Sequence, residues 1–116
     1  MAKPTNDNKQ LIDQIIEVTD YEKHFVEYCL SKISETATNE TWSFEKTTEV
    51  VKKIDFSSFK FTIYNLFAKH TSQELNNLIT VYKSEKDSNI KNIIVESEMV
   101  NQNLKSYAKN LVGGYK

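Results

Sequence analysis

The chain has 116 residues, a length suited to one domain, and its 39% apolar content supplies a core while falling short of a membrane protein's. Two Gly, one Pro and 27% charged residues leave too little turn chemistry for a sandwich, a barrel or a phosphate-cradling loop, and favour solvated helices. The 15 basic residues are all Lys and face 16 acids for a net charge of −1, which excludes a strong overall field toward nucleic acid or anionic lipid. A lone Cys29 excludes an internal disulfide and a cysteine zinc cage.

Met1 to Gln10 carries no apolar run, so no secretory leader lies within the chain, and no stretch approaches the roughly 20 apolar residues that cross a bilayer. We read residues 1–6 as a disordered segment or a remnant of expression, residues 7–112 as a single helical domain and residues 113–116 as a C-terminal tail. With Met1 as the native start the protein is cytoplasmic; with Met1 to Lys3 as a remnant it is one whose leader has been removed.

Leu11, Ile12, Ile15 and Ile16 form one apolar stripe opposite Asp13, Gln14 and Glu17, which predicts a helix over 7–18. Thr19 and Glu22 stand at capping-box spacing and predict the start of a second helix carrying Tyr21, Phe25, Tyr28, Cys29, Ile33 and Ala37, with Val26 and Leu30 widening the stripe. The run from Thr38 to Ser43 reads as a loop, from which Trp42 folds back over a core edge. Phe44, Thr47, Val51 and Ile54 give a short third helix, and Asp55 to Ser57 stop it and cap the next. Phe56, Phe59, Ile63, Leu66 and Phe67 step at helical spacing through a fourth helix ending near Lys69 and His70, and a strand through Phe59, Phe61 and Ile63 explains less of the segment.

Thr71 and Glu74 form the clearest capping box, ahead of a fifth helix through Leu75, Leu78, Ile79 and Tyr82. After a polar break at 84–89, with Ser84 placed to cap the following run, residues 85–112 lack Gly and Pro. There Ile90, Ile93, Ser97, Val100, Leu104, Tyr107 and Leu111 alternate steps of three and four, predicting the longest helix, closed by Gly113 and Gly114. The expected fold is all-α, an antiparallel bundle of five or six helices with a long C-terminal helix.

Phe67, Thr71-Ser72-Gln73-Glu74-Leu75, Leu78, Ile79, Val81-Tyr82-Lys83-Ser84 and the long helix behind them resemble domain-of-unknown-function family 2059, a bacterial family. Ile12 to Phe25 resembles that family's first two helices; Glu85 and Asp87 stand where the family carries Pro and Gly, and Val81 stands where it carries Phe. The resemblance implies a small helical bundle, exported or periplasmic, and supplies no catalytic residues.

Catalysis needs titratable groups gathered in one pocket. His24, beside Glu22 and Glu27, and His70, near a helix end, are more simply explained as helix residues, and no His-x-x-x-His or Glu-x-x-His spacing accompanies them. Cys29 falls on an apolar stripe, where a thiol acts as a small hydrophobe, and Glu96 and Glu98 point to different sides of a helix. Lys52, Lys53 and Lys60 near Phe59 and Phe61 form the one basic and aromatic cluster, read as a solvated face because without Arg there is no bidentate fork. An enzyme is not expected, nor any cofactor or metal.

The expectation is a non-enzymatic helical module that binds a protein partner or itself through apolar positions on the last helix, Val95 and Met99 beside the main seam. Tyr107, Tyr82 and Trp42 add to the candidate surface, with Tyr64 and Tyr115 as further semi-polar contact groups. The alternative is a carrier of a small apolar ligand held between the aromatic fourth helix and the last.

Overall fold

The computed structural model describes residues 6–84 and 92–113. Six helices follow one another: α1 (Asn6–Val18), α2 (Tyr21–Glu40), α3 (Phe44–Val51), α4 (Phe56–Leu66), α5 (Ser72–Ser84) and α6 (Glu98–Gly113). The fold is all-α and bundle-like, with a long C-terminal helix and no strand among the described residues.

One apolar core draws on all six helices, from Ile12, Ile15 and Ile16 of α1 to Val100, Leu104 and Leu111 of α6. α1 packs most closely on α5, while α2 and α4 both pack on α6. Four aromatic side chains meet at the second junction. Phe25 lies 5.1 Å from Phe56, 4.9 Å from Phe59 and 5.2 Å from Tyr107 between ring centroids, all tilted. Tilted rings at these separations add about 0.5–1.5 kcal/mol per pair to the burial itself.

Polar side chains fix how the helices meet. Asn8 of α1 donates to the His70 carbonyl at 3.3 Å and accepts from the Ser72 hydroxyl at 2.6 Å, tying α1 to the α4–α5 connection. Tyr64 of α4 donates to Asp13 of α1 at 2.7 Å, and Lys60 reaches the same carboxylate at 3.4 Å. The Asp55 N–H donates to the Tyr107 hydroxyl at 2.8 Å, joining the α3–α4 corner to α6.

Two predicted caps form as expected. Thr71 N–H donates to Glu74 Oε1 at 2.9 Å and Glu74 N–H to Thr71 Oγ1 at 3.1 Å, and Asp55 Oδ1 accepts from Ser57 N–H at 3.1 Å to open α4. A third does not form. The Thr19 hydroxyl donates backward to the carbonyls of Ile15 and Ile16 and so closes α1, while Asp20, in the left-handed region at φ 56°, precedes α2 without a side-chain cap. A Thr hydroxyl can satisfy orphan groups on either side of a break, and here the preceding helix takes it.

The expected loop at 38–43 shrinks because α2 continues to Glu40, and left-handed Thr41 then turns the chain, its N–H donating back into the last turn. The helix expected from residue 85 begins only at Glu98. Ser97, read as part of the apolar seam, instead accepts the Val100 N–H at 3.2 Å as an N-cap.

Before it, residues 92–97 form a turn held by three side chains. Asn92 Oδ1 accepts from the N–H groups of Ile94 and Val95, Asn101 Nδ2 donates to the Val95 carbonyl, and Tyr82 OH accepts the Ile93 N–H. With 16 residues α6 is therefore shorter than α2, with 20. Ser84's expected capping of the next run falls on residues 85–91, outside those described, as do Ile90, Gly114 and Tyr115. Gly113 is the last residue of α6 and has no positive φ, so it is not the left-handed cap expected of it.

Phe25 is fully buried, whereas Phe44 is 85% exposed. Phe25→Ala is expected to lower the unfolding free energy by about 3–5 kcal/mol, and Phe44→Ala to change it by about 0.5 kcal/mol or less, in paired urea titrations.

Candidate functional site

The α2–α3 hairpin carries the site. Ser43 caps α3 by accepting the Lys46 N–H at 3.1 Å, and Trp42 N–H donates to the Ala37 carbonyl at 2.9 Å, so the short connection is held by its own backbone. The hydroxyls of Thr47 and Thr48 donate to the carbonyls of Ser43 and Phe44, which leaves neither needing a partner outside α3. α3 makes its substantial contacts with α2, and Val50 is the residue it buries.

The spacing of Phe44, Thr47, Val51 and Ile54 predicts the third helix; the structure ends α3 at Val51 and leaves Phe44 and Val51 exposed. Val50, one position along the helix, enters the core, and the Phe44–Thr47–Val51 ridge is rotated away from it. Between that ridge and the second half of α2 runs an open groove of about 620 Å³ lined by Leu30, Ile33, Ala37, Trp42, Thr47 and Val51, with Ser34, Thr38 and Thr41. Leu30 is 40% and Val51 36% exposed, and no charged side chain lines the groove.

Trp42 is half-buried against the core edge, as expected, and forms one end of the groove. Its Nε1–H donates to Glu40 at 3.1 Å and the Lys46 ammonium lies 4.5 Å from its ring centroid, so both faces of its chemistry are held by neighbours. Of the five positions named for an interaction surface, Trp42 alone lines this groove.

Val95 lies in the turn before α6, half-buried on the core, and Met99 is 38% exposed with its sulfur 3.5 Å from Asn103 Nδ2. Tyr107 is half-buried against Phe25 and Phe59, and the Tyr82 hydroxyl accepts the Ile93 N–H at 2.9 Å. The space between α4 and α6, expected for an apolar ligand, holds the rings of Phe59 and Tyr107 at 5.9 Å.

The reactive residue types are dispersed. Among the described residues no three His, Cys, Asp or Glu side chains are grouped to hold a metal. His24 stacks beside Tyr21 at 5.5 Å, and His70 packs edge-on to Phe67 at 5.3 Å. Cys29 is fully buried and burial pushes its thiol up to about 11. Burial also drives the Tyr21 phenol upward, its hydroxyl having no hydrogen-bond partner among the described residues, and raises Tyr64 to about 12 with help from the bond to Asp13. Lys60 is paired to Asp13 and Phe59 is buried, while Phe61 is 68% exposed, so the basic and aromatic cluster does not gather on one stacking platform. No described helix is long and apolar enough to cross a membrane.

The Cys29 thiol is expected to resist a disulfide reagent in the native protein and react on unfolding. Because its folded pKa lies above the ordinary value of 9.0, the unfolded chain loses its proton first; stability is full below pH 9 and declines as pH rises toward 11. Urea midpoints across that window, compared with Cys29→Ala, measure the share due to the thiol. A comparison with family models, curated proteins and solved structures finds no match to this chain.

Proposed function

We propose that this chain is a non-enzymatic protein-interaction module whose docking surface is the α2–α3 groove. The observation that carries the reading is an open apolar trough between two helices, with Leu30 and Val51 in its lining, and Phe44 on the same α3 ridge, left exposed among the described residues. Scattered exposed apolar residues need no explanation, but Leu30 and Val51 facing one groove, with Phe44 exposed at the other end of the same α3 ridge, match the surfaces by which helical proteins take a partner's apolar side chains.

The occupant this chemistry suits is an amphipathic helix or a short apolar segment of a partner protein. Trp42 at one end supplies a large rigid contact, and Lys46 and Glu40 beside it supply a polar rim. An exported or periplasmic setting is part of the proposal and is supported by the resemblance to family 2059 carried by Thr71 to Ser84.

Trp42 is the single tryptophan, so its emission reports on the groove directly. Peptides selected from a displayed library on the immobilised protein are expected to shift that emission to the blue. Leu30→Asp is expected to weaken them by about tenfold or more. Peptides that bind Leu30→Asp and Val51→Asp as well as the native protein, or that leave Trp42 unchanged, sink the reading.

A further inference from the structure

The third helix also indicates which partner the groove fits. At about 100° per residue, Val50 lies on the flank of α3 closed by α2, and Thr47 faces the groove. Glu45 and Lys52 both lie about a quarter turn to the other, open side of the Phe44–Val51 ridge, and exposed Glu49 lies on the same side, farther from the ridge. Glu45 is in the first turn of α3 and Lys52 is its C-cap, still in right-handed helical geometry; both are exposed. Neither is ion-paired among the described residues.

An acid at one end of a helix flank and a base at the other are self-complementary in only one orientation. Parallel copies would set Glu45 against Glu45 and Lys52 against Lys52; antiparallel copies related by a twofold axis set each acid against a base, twice. The same antiparallel placement brings the Phe44 ring of each copy to the Val51 end of the other's α3. There Leu30 and Val51 stand uncovered at the groove.

We propose that the partner is a second copy of this chain. The two α3 helices run antiparallel, Phe44 of each copy seats on Leu30 and Val51 of the other, and Glu45 of each faces Lys52 of the other. This pairing rests on the reading of the groove as a protein-docking surface. An eight-residue helix is about 12 Å long, so the contact is smaller than the roughly 1,200 Å² of a standard interface and the dimer is weak and concentration-dependent.

Sedimentation velocity of the full chain from micromolar to millimolar concentration is expected to show the average mass rising toward that of a dimer. Phe44→Glu, at a position 85% exposed and next to the Ser43 cap, keeps the helical circular-dichroism spectrum and raises the dissociation constant by about tenfold or more. Glu45→Lys and Lys52→Glu each place two like-charge contacts across the axis and weaken pairing by about tenfold, and the double exchange restores it to within about threefold of the native value.

A native chain that stays monomeric throughout, or a dimer indifferent to Phe44→Glu, overturns the proposal. A monomer that still selects peptides sensitive to Leu30→Asp removes self-pairing alone; loss of those peptides as well removes the docking surface with it.

Discussion

The ring of Phe25 lies about 5 Å from those of Phe56, Phe59 and Tyr107, so a single side chain of α2 is locked to both α4 and α6. That contact sets where along α2 the body of the protein begins. Tyr21, Phe25, Cys29 and Ile33 follow from it at helical spacing as the buried face, and each is at most 1% exposed. A core at organic-crystal density leaves no room to slide the helix by a turn, so the register of α2 is fixed at its N-terminal half.

Fixing one half of α2 decides the fate of the other. The helix has 20 residues and is about 30 Å long, and its buried positions end at Ile33. What extends beyond carries α3, folded back along it through the left-handed turn at Thr41. The molecule measures 49 × 35 × 21 Å, with a radius of gyration of 16.1 Å against about 13 Å for a compact chain of this size. With mainly α2 to pack on, α3 buries Val50 and leaves its other apolar face open.

Hydrogen bonds add specificity where the apolar core is indifferent. Asn8, Tyr64, Asn92 and Tyr107 each bond to a residue more than 50 positions away; three of these bonds anchor a helix end or connection, and the Tyr64–Asp13 bond ties α4 to the middle of α1. Such bonds contribute about 1 kcal/mol apiece, small beside the core, but a misplaced helix would leave several part-buried polar groups unpaired. The left-handed residues Asp20 and Thr41 mark the two turns at which α2 is joined; Asp tolerates that conformation comparatively well, whereas the β-branched Thr41 is held in it by the turn that follows α2.

The amino-acid sequence by itself determined the helical class, five of the six helix beginnings and the helix ends to within a few residues, and the caps at Thr71–Glu74 and Asp55. These rest on spacing and on side chains that act within one turn, so they are written locally. Tertiary structure decided the rest. Thr19 could cap forward or backward, Ser97 could join a seam or start a helix, and in α3 either Val50 or Val51 could face inward. Each choice is nearly degenerate over a few residues and is resolved only by groups distant in the chain. The groove between α2 and α3 was illegible for the same reason: its exposure depends on how far the other helices reach, a property of the packed body and not of residues 30–51.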